Sequence, residues 1–243
     1  MPPKTYLLPS TRDTWTDNSR WPAPRFQENA LRSVRPEILD RLPQDSRAAL
    51  ASRRDLRLIN RLQGNARWFR HVLRAHYRNR EYVLELGAGT GELGQALQSR
   101  QINLAGLDLG RRPRDWPARA PWFETDVLKF LHWADYPIVI GNLFFHHFDH
   151  AELATLGARL SERARLIIAS EPLRAPRTGK LFRLMCPLIR AHQVTRHDGQ
   201  ASIAAGFRHD ELPYLLRLDP AVWRWRVQET WLGAYRLIAE RRA

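Results

Sequence analysis

A chain of 243 residues with 44% hydrophobic and 26% charged residues holds one large domain with extensions and buries a sizeable core. That excludes a mainly disordered chain, a collagen-like repeat and a disulfide-stapled miniprotein, and the single Cys186 forms no intrachain disulfide and suits a reducing compartment. The net charge is +14, concentrated in the flanks: residues 1–80 carry 17 basic against 7 acidic groups, residues 81–170 carry 9 against 11, and residues 171–243 carry 13 against 7.

In chain order, residues 1–34, with Pro2, Pro3, Pro9, Pro22 and Pro24, predict an irregular arm. Residues 35–79 predict a helical extension. There Leu58, Ile59 and Leu62 share a face, Gly64 stops that helix, and Phe69, Val72, Leu73 and Tyr77 define the next. From residue 80 to 243 short apolar runs alternate with helical stretches, the grammar of βαβ units on a parallel sheet. The strands are predicted at Tyr82–Leu86, Leu104–Leu109, Trp122–Thr125, Pro137–Gly141 and Arg165–Ser170. A helix marked by Leu93, Ala96 and Leu97 follows the first strand. Another follows the fourth, with Asp149 as N-cap, Glu152 completing a capping box, and Leu153, Leu156 and Leu160 facing inward. Trp223–Thr230 and Ala234–Ala239 around Leu232 and Gly233 predict an antiparallel hairpin at a sheet edge. The expected fold is a doubly wound, Rossmann-like α/β sheet with an antiparallel C-terminal edge and an N-terminal helical extension.

The chemistry concentrates in Val83-Leu84-Glu85-Leu86-Gly87-Ala88-Gly89-Thr90-Gly91. An apolar strand carries a carboxylate at its end, enters a loop with glycine at every second position, and continues into a helix whose first N–H groups are unpaired. In a doubly wound sheet such a loop lies at the carboxyl ends of the strands, where ligands bind. Gly89-x-Gly91-x-x-Gly94 also satisfies the dinucleotide fingerprint, which seats a pyrophosphate on the helix start. Glu85 beside the same turn repels phosphate and favours a cationic ligand.

Glu85 to Gly91 resembles motif I, E-x-G-x-G-x-G, of the class I S-adenosylmethionine-dependent methyltransferases. Their cofactor carries a sulfonium and an amino group and no phosphate. The resemblance covers roughly residues 80–240. It implies a cofactor site from Glu85, Gly87, Ala88, Gly89 and Gly91; from Asp108, ending the second strand and able to accept ribose hydroxyls, with Leu109; and from Asp126, at the family position that receives the adenine amino group, with Val127. Asn142 and Leu143, ending the fourth strand, line the methyl-donor side. The string Asn142-Leu-Phe-Phe-His146-His147-Phe148 lacks the Pro-Pro of the enzymes that methylate base amines, and Cys186 lies outside the position of the C5 nucleophile. It is similar instead to the small-molecule, ubiquinone-biosynthesis-like group, as is Asp55-Leu-Arg-Leu-Ile-Asn-Arg-Leu62 upstream.

Three histidines are candidate catalytic bases: His146, His147 and His197. An imidazole near pKa 6.5 falls about 3.5 units, roughly 5 kcal/mol, short of a phenol near 10, and much further short of an aliphatic hydroxyl, so a histidine base points to a phenolic acceptor. Packing or helix capping is the plain alternative for each. His146, His147 and His150 show no carboxylate pattern for a metal, and none is expected. Residues 172–205 read as a substrate-covering insertion: an apolar helix over Thr178–Arg190 kinked at Pro187, then a polar turn through Arg196, His197, Asp198 and Gly199, with Met185, Arg196 and Asp198 as substrate contacts.

The expected function is methyl transfer to oxygen of a small phenolic or polyketide-like metabolite. An RNA methyltransferase using the basic flanks, and a non-catalytic cofactor-binding subunit, are the alternatives. The flanks would also suit an acidic carrier or partner protein. The absence of an apolar run of about 18 residues, and of a secretory leader in MPPKTYLLPSTRDTW, leads to the expectation of a cytoplasmic protein without a membrane span.

Overall fold

The computed structural model describes residues 32–78, 80–98 and 102–242, so most of the arm expected over residues 1–34 lies outside it. Two helices come first. Helix α1, Arg47–Gln63, starts at Ser46, whose side chain accepts from the Ala49 N–H, and stops at Gly64 in the left-handed conformation (φ 70°). The chain turns there directly into α2, Asn65–His76. Phe69, Val72 and Leu73 of α2 are buried against the sheet, as their helical spacing predicts.

The sheet follows: β1 Tyr82–Leu86, β2 Asn103–Asp108, β3 Trp122–Glu124, β4 Ile138–Asn142, β5 Leu166–Pro172, β6 Trp223–Glu229 and β7 Ala234–Arg241. Their order is β3-β2-β1-β4-β5-β7-β6. The first five are parallel, and β7 runs antiparallel to both β5 and β6. Residues alternate between two cores, one on each face. Leu84 and Leu86 of β1 enter one with Phe145, Leu153, Leu156 and Leu160, while Val83 enters the other with Phe69, Leu97, Ile140 and Ile168. Helix α3, Glu92–Gln98, crosses from β1 to β2; α4, His150–Arg163, crosses from β4 to β5 and carries both hydrogen bonds of the Asp149–Glu152 capping box.

Between β5 and β6 lie α5 (Pro176–Leu188), α6 (Gln193–Ala205) and α7 (Glu211–Leu215). Here the structure corrects the sequence expectation. The polar run through Arg196, His197, Asp198 and Gly199 is a helix and not a turn. His192 caps its start by accepting from the Val194 N–H, and Gly199 lies where a β-carbon would run into the Phe182 ring of α5, so glycine here permits close helix packing.

Candidate functional site

The glycine loop between β1 and α3 lies at the carboxyl end of β1, between the parallel neighbours β2 and β4. Gly87, Gly89 and Gly91 all have positive φ (61°, 53° and 80°), which admits side chains only with strain. A β-carbon on Gly87 would also strike the Phe144 ring. The loop is braced from behind: Ala88 N–H donates to the Leu107 carbonyl (3.1 Å) and Gly91 N–H to the Ala88 carbonyl (2.8 Å).

Each predicted cofactor residue has a definite place. Asp108 ends β2, its Oδ2 accepting from Gly89 N–H at 2.8 Å and its Oδ1 from Gly110 N–H at 2.7 Å. Each oxygen keeps a further lone pair for a hydroxyl donor. Leu109 beyond it is 77% exposed. Asp126 N-caps a short 3-10 turn, Val127–Lys129, by accepting from Leu128 N–H at 2.9 Å; Val127 packs into the core. Asp126 thus has the cap role that an Asp after a strand commonly takes, with one carboxylate oxygen left over.

Glu85 is buried, not open at the mouth of the turn: it is 3% exposed, and its Oε2 has no hydrogen-bond partner. Burial first, then the negative charges of Glu92 and Asp108, push its carboxyl well above the ordinary value, while the Gly94 N–H pulls weakly the other way. A buried acceptor left unmatched beside a three-glycine cradle is the opening a cationic ligand would satisfy.

The end of β4 is held by groups the sequence did not mark. Asn142 Oδ1 accepts from the Asn65 side chain at 3.1 Å and its Nδ2 donates to Asn60 Oδ1 at 3.3 Å, joining β4 to the junction of α1 and α2. Leu143 has φ 56°, a strained value for a branched residue, and its N–H donates to the Ser170 carbonyl at 2.8 Å. Glu171, at the end of β5, is 1% exposed. It accepts from the backbone N–H groups of Phe144, Phe145 and His146 and lies 2.8 Å from His146 Nδ1.

The two neighbouring histidines occupy different environments. His146 is buried, with Glu171 on Nδ1 and Glu37 3.5 Å from Nε2. Burial alone would lower its pKa, but hydrogen bonds to Glu171 and Glu37 raise it to about 9, so at neutral pH it is an imidazolium, unable to accept a proton. His147 is partly exposed, its Nδ1 3.8 Å from Asp40, and burial together with the charge on His146 lowers it to about 4. Asp40 is raised to about 6 by burial and by Glu37 and Asp198. Of the pair, His147 is therefore the neutral group. Glu37, His146 and His147 present potential ligand atoms within 4.8 Å of one another, a carboxylate beside the histidine pair that the sequence did not show.

Residues 32–46 form a strap over this end of the sheet. Arg32 donates to the carbonyls of His146, Phe148 and Ala205; Ile38 and Leu39 N–H donate to the two Asp198 carboxylate oxygens, both at 2.9 Å; and Glu37 accepts from the Ser202 hydroxyl. This changes the reading of the insertion. Asp198, expected to orient substrate, is 4% exposed and spends its carboxylate clamping the strap. Arg196 donates to the Ala191 carbonyl at the end of α5, and Met185 packs with Ile59, Phe182 and Cys186. His197 is backed by Asp198, at 3.0 Å, but its side chain is 61% exposed on the outside of α6.

No protein-family model matches the sequence, and no curated protein matches it. Solved structures do resemble the fold. The plantazolicin methyltransferase BpumL in complex with SAH superposes with a TM-score of 0.66 at 11% identity over 84% of this chain and 93% of that one. The plantazolicin methyltransferase BamL, bound to a triazolic desmethyl analogue and SAH, gives 0.63 at 11% identity over 83% and 92%. A protein of Nostoc punctiforme described provisionally as an O-methyltransferase gives 0.51 at 14% identity over 74% and 56%. At these identities the likeness establishes the fold alone: a doubly wound α/β sheet with an antiparallel edge.

Proposed function

We propose that the protein is an S-adenosylmethionine-dependent methyltransferase acting on oxygen of a small phenolic or polyketide-like acceptor. The observation that carries the reading is Glu85: a buried carboxyl with an unmatched oxygen, set beside a loop of three glycines at positive φ. A dinucleotide would bring phosphate toward that carboxylate, whereas S-adenosylmethionine brings positive charge. The fold shared with SAH-bound enzymes supports the same ligand.

When bound, the cofactor supplies an electrophilic methyl group on a sulfonium. Gly87, Gly89 and Gly91 let the ligand approach the backbone, Asp108 accepts ribose hydroxyls, and Asp126 offers its free oxygen to the adenine amine. Asn142 and Leu143 border the methyl-donor side. The acceptor hydroxyl is oriented by His147, which is neutral at pH 7 and accepts a hydrogen bond from it; with a pKa of about 4 the ring positions the acceptor and does not hold its proton. His146, already charged, acts as a fixed positive group beside the developing phenolate. Phe144 and Phe148, with ring centroids 4.9 Å apart, supply an apolar wall.

The test is native mass spectrometry of the purified chain for a bound S-adenosyl ligand, followed by transfer of a labelled methyl group to a panel of phenols. A dinucleotide bound at the glycine loop, or no affinity for S-adenosylhomocysteine by calorimetry, overturns the proposal. The +14 charge favours a second reading, an RNA acceptor. It predicts RNA binding that weakens steeply with salt and label appearing in RNA rather than in a phenol.

A further inference from the structure

The face of the molecule formed by α5 and the β6–β7 turn has no assigned role in the site. Thr178, Phe182 and Cys186 form the buried side of α5. Leu181, Leu184 and Leu188 point the other way and are 38%, 70% and 83% exposed, on a stripe about 10 Å long at 1.5 Å rise per residue. At its N-terminal end the stripe meets the β6–β7 turn. There Trp231, 83% exposed, lies with its ring centroid 5.1 Å from the Arg177 guanidinium, and exposed Leu232 is tied to α1 by the Gln63 side chain.

The charge along α5 has one sign. Between Glu171 and Asp198 the sequence contains six basic residues and no carboxylate. Four of them, Arg177, Lys180, Arg183 and Arg190, are exposed on or just beyond α5. Neighbouring α1 adds exposed Arg61; its Arg54 is paired at 2.7 Å with Asp55, the single acidic residue of that helix, which is buried. Leucines and a tryptophan projecting from a cationic rim match a surface that is negative outside and apolar a few ångströms deeper. Residues 1–31 do not complement that charge, since they carry four basic and three acidic groups.

We propose that this face docks the protein on a bilayer containing anionic lipid. The leucines and Trp231 enter the boundary between headgroups and acyl chains, and the arginines and Lys180 meet the lipid phosphates. No helix among the described residues is long and apolar enough to cross a membrane, so the attachment is peripheral and reversible. The inference is independent of the identity of the methyl acceptor.

The experiment is co-sedimentation of the full chain with vesicles of phosphatidylcholine alone or mixed with phosphatidylglycerol. Binding to the mixed vesicles should exceed binding to the neutral ones by about tenfold or more, and should fall as salt is raised. The double substitution L184S/L188S, at exposed positions, should lower partitioning about tenfold or more while circular dichroism and the melting temperature stay unchanged. Charge reversal by K180E/R183E should do the same. No binding to anionic vesicles at low salt, or binding indifferent to L184S/L188S, overturns the proposal. So does a dimer in light scattering that L184S/L188S dissolves, which would assign the face to a second copy. RNA binding weakened by the leucine substitutions as much as vesicle binding would assign the face to nucleic acid instead.

Discussion

Glu85→Gln separates the two things a buried carboxylate does in this protein. The substitution keeps size and shape, retains an acceptor for the Gly94 N–H, and removes the charge. In the ligand-free fold the Glu85 Oε2 is buried without a partner, and the carboxyl is raised well above 4.5 by burial and by Glu92 and Asp108. An unmatched buried polar atom costs about 1–3 kcal/mol, and above the ordinary carboxyl range the fold must also keep Glu85 protonated, so a side chain that never ionises should stabilise the apo protein by about 1 kcal/mol or more at neutral pH. For a chain of this size that is about 2–4 °C in Tm per kcal/mol. The sign with pH follows from proton uptake. A raised folded-state pKa means the fold holds a proton the unfolded chain has released, so wild-type stability declines as pH rises above about 4.5 toward the folded-state value. The glutamine variant lacks that decline, and its advantage should widen with pH. Its affinity for S-adenosylhomocysteine should nonetheless fall about tenfold or more, about 1.4 kcal/mol. Thermal melts at several pH values and calorimetry check both halves. A variant that melts lower at neutral pH, or binds with unchanged affinity, refutes the assignment of Glu85 as a cation receptor strained in the apo fold.

Asp108→Ala should weaken cofactor binding by about tenfold or more, because it removes the proposed ribose acceptor and frees the Gly89 and Gly110 amides it now holds; unchanged binding in calorimetry would take Asp108 out of the site. His146 rises from 6.5 to about 9 on folding, so its contribution, about 3 kcal/mol at most, should be complete below pH 6.5 and lost as pH passes 9. The pH dependence of denaturant midpoints should flatten over that window in His146→Gln. Asp198→Ala leaves two strap N–H groups without their charged acceptor, at about 1.5–3 kcal/mol each; limited proteolysis should then cut within residues 32–46 well before the rest of the domain unfolds.

Much of this was legible in the sequence because the informative signals were local. β1, β4 and the C-terminal hairpin show as apolar or alternating runs closed by turn residues, and the Asp149–Glu152 box marks the start of α4 to the residue. The carboxylates near the ends of β1, β2 and β3 were visible because each lies within two residues of its strand's last position. What escaped was long-range. Glu37 and Glu171 sit in no motif, and only the fold brings them to opposite sides of His146, 109 and 25 positions away in the chain. Helix α6 looks like a polar turn because its stabilising bonds reach far away: Asp198 to the backbone of residues 38 and 39, and Thr195 to Asp55. An Asp-Gly pair favours a turn locally, and that preference yields when the Asp is spent elsewhere and the Gly is needed beneath a phenyl ring. The histidines were visible as residues but not as charges, since a pKa near 9 beside one near 4 depends on neighbours the sequence does not place.

The amide triad of Asn60, Asn65 and Asn142 has a consequence for how this protein can be divided or recombined. A cut just ahead of β1 would leave the last residue of β4 facing solvent where it now meets two side chains of the preceding helices. The opening helix pair therefore serves as one wall of the proposed site. Chimeras that exchange it with a structural cousin should inherit the donor's preferences among acceptors, and a version shorn of it should lose its shape at that wall before its sheet comes apart.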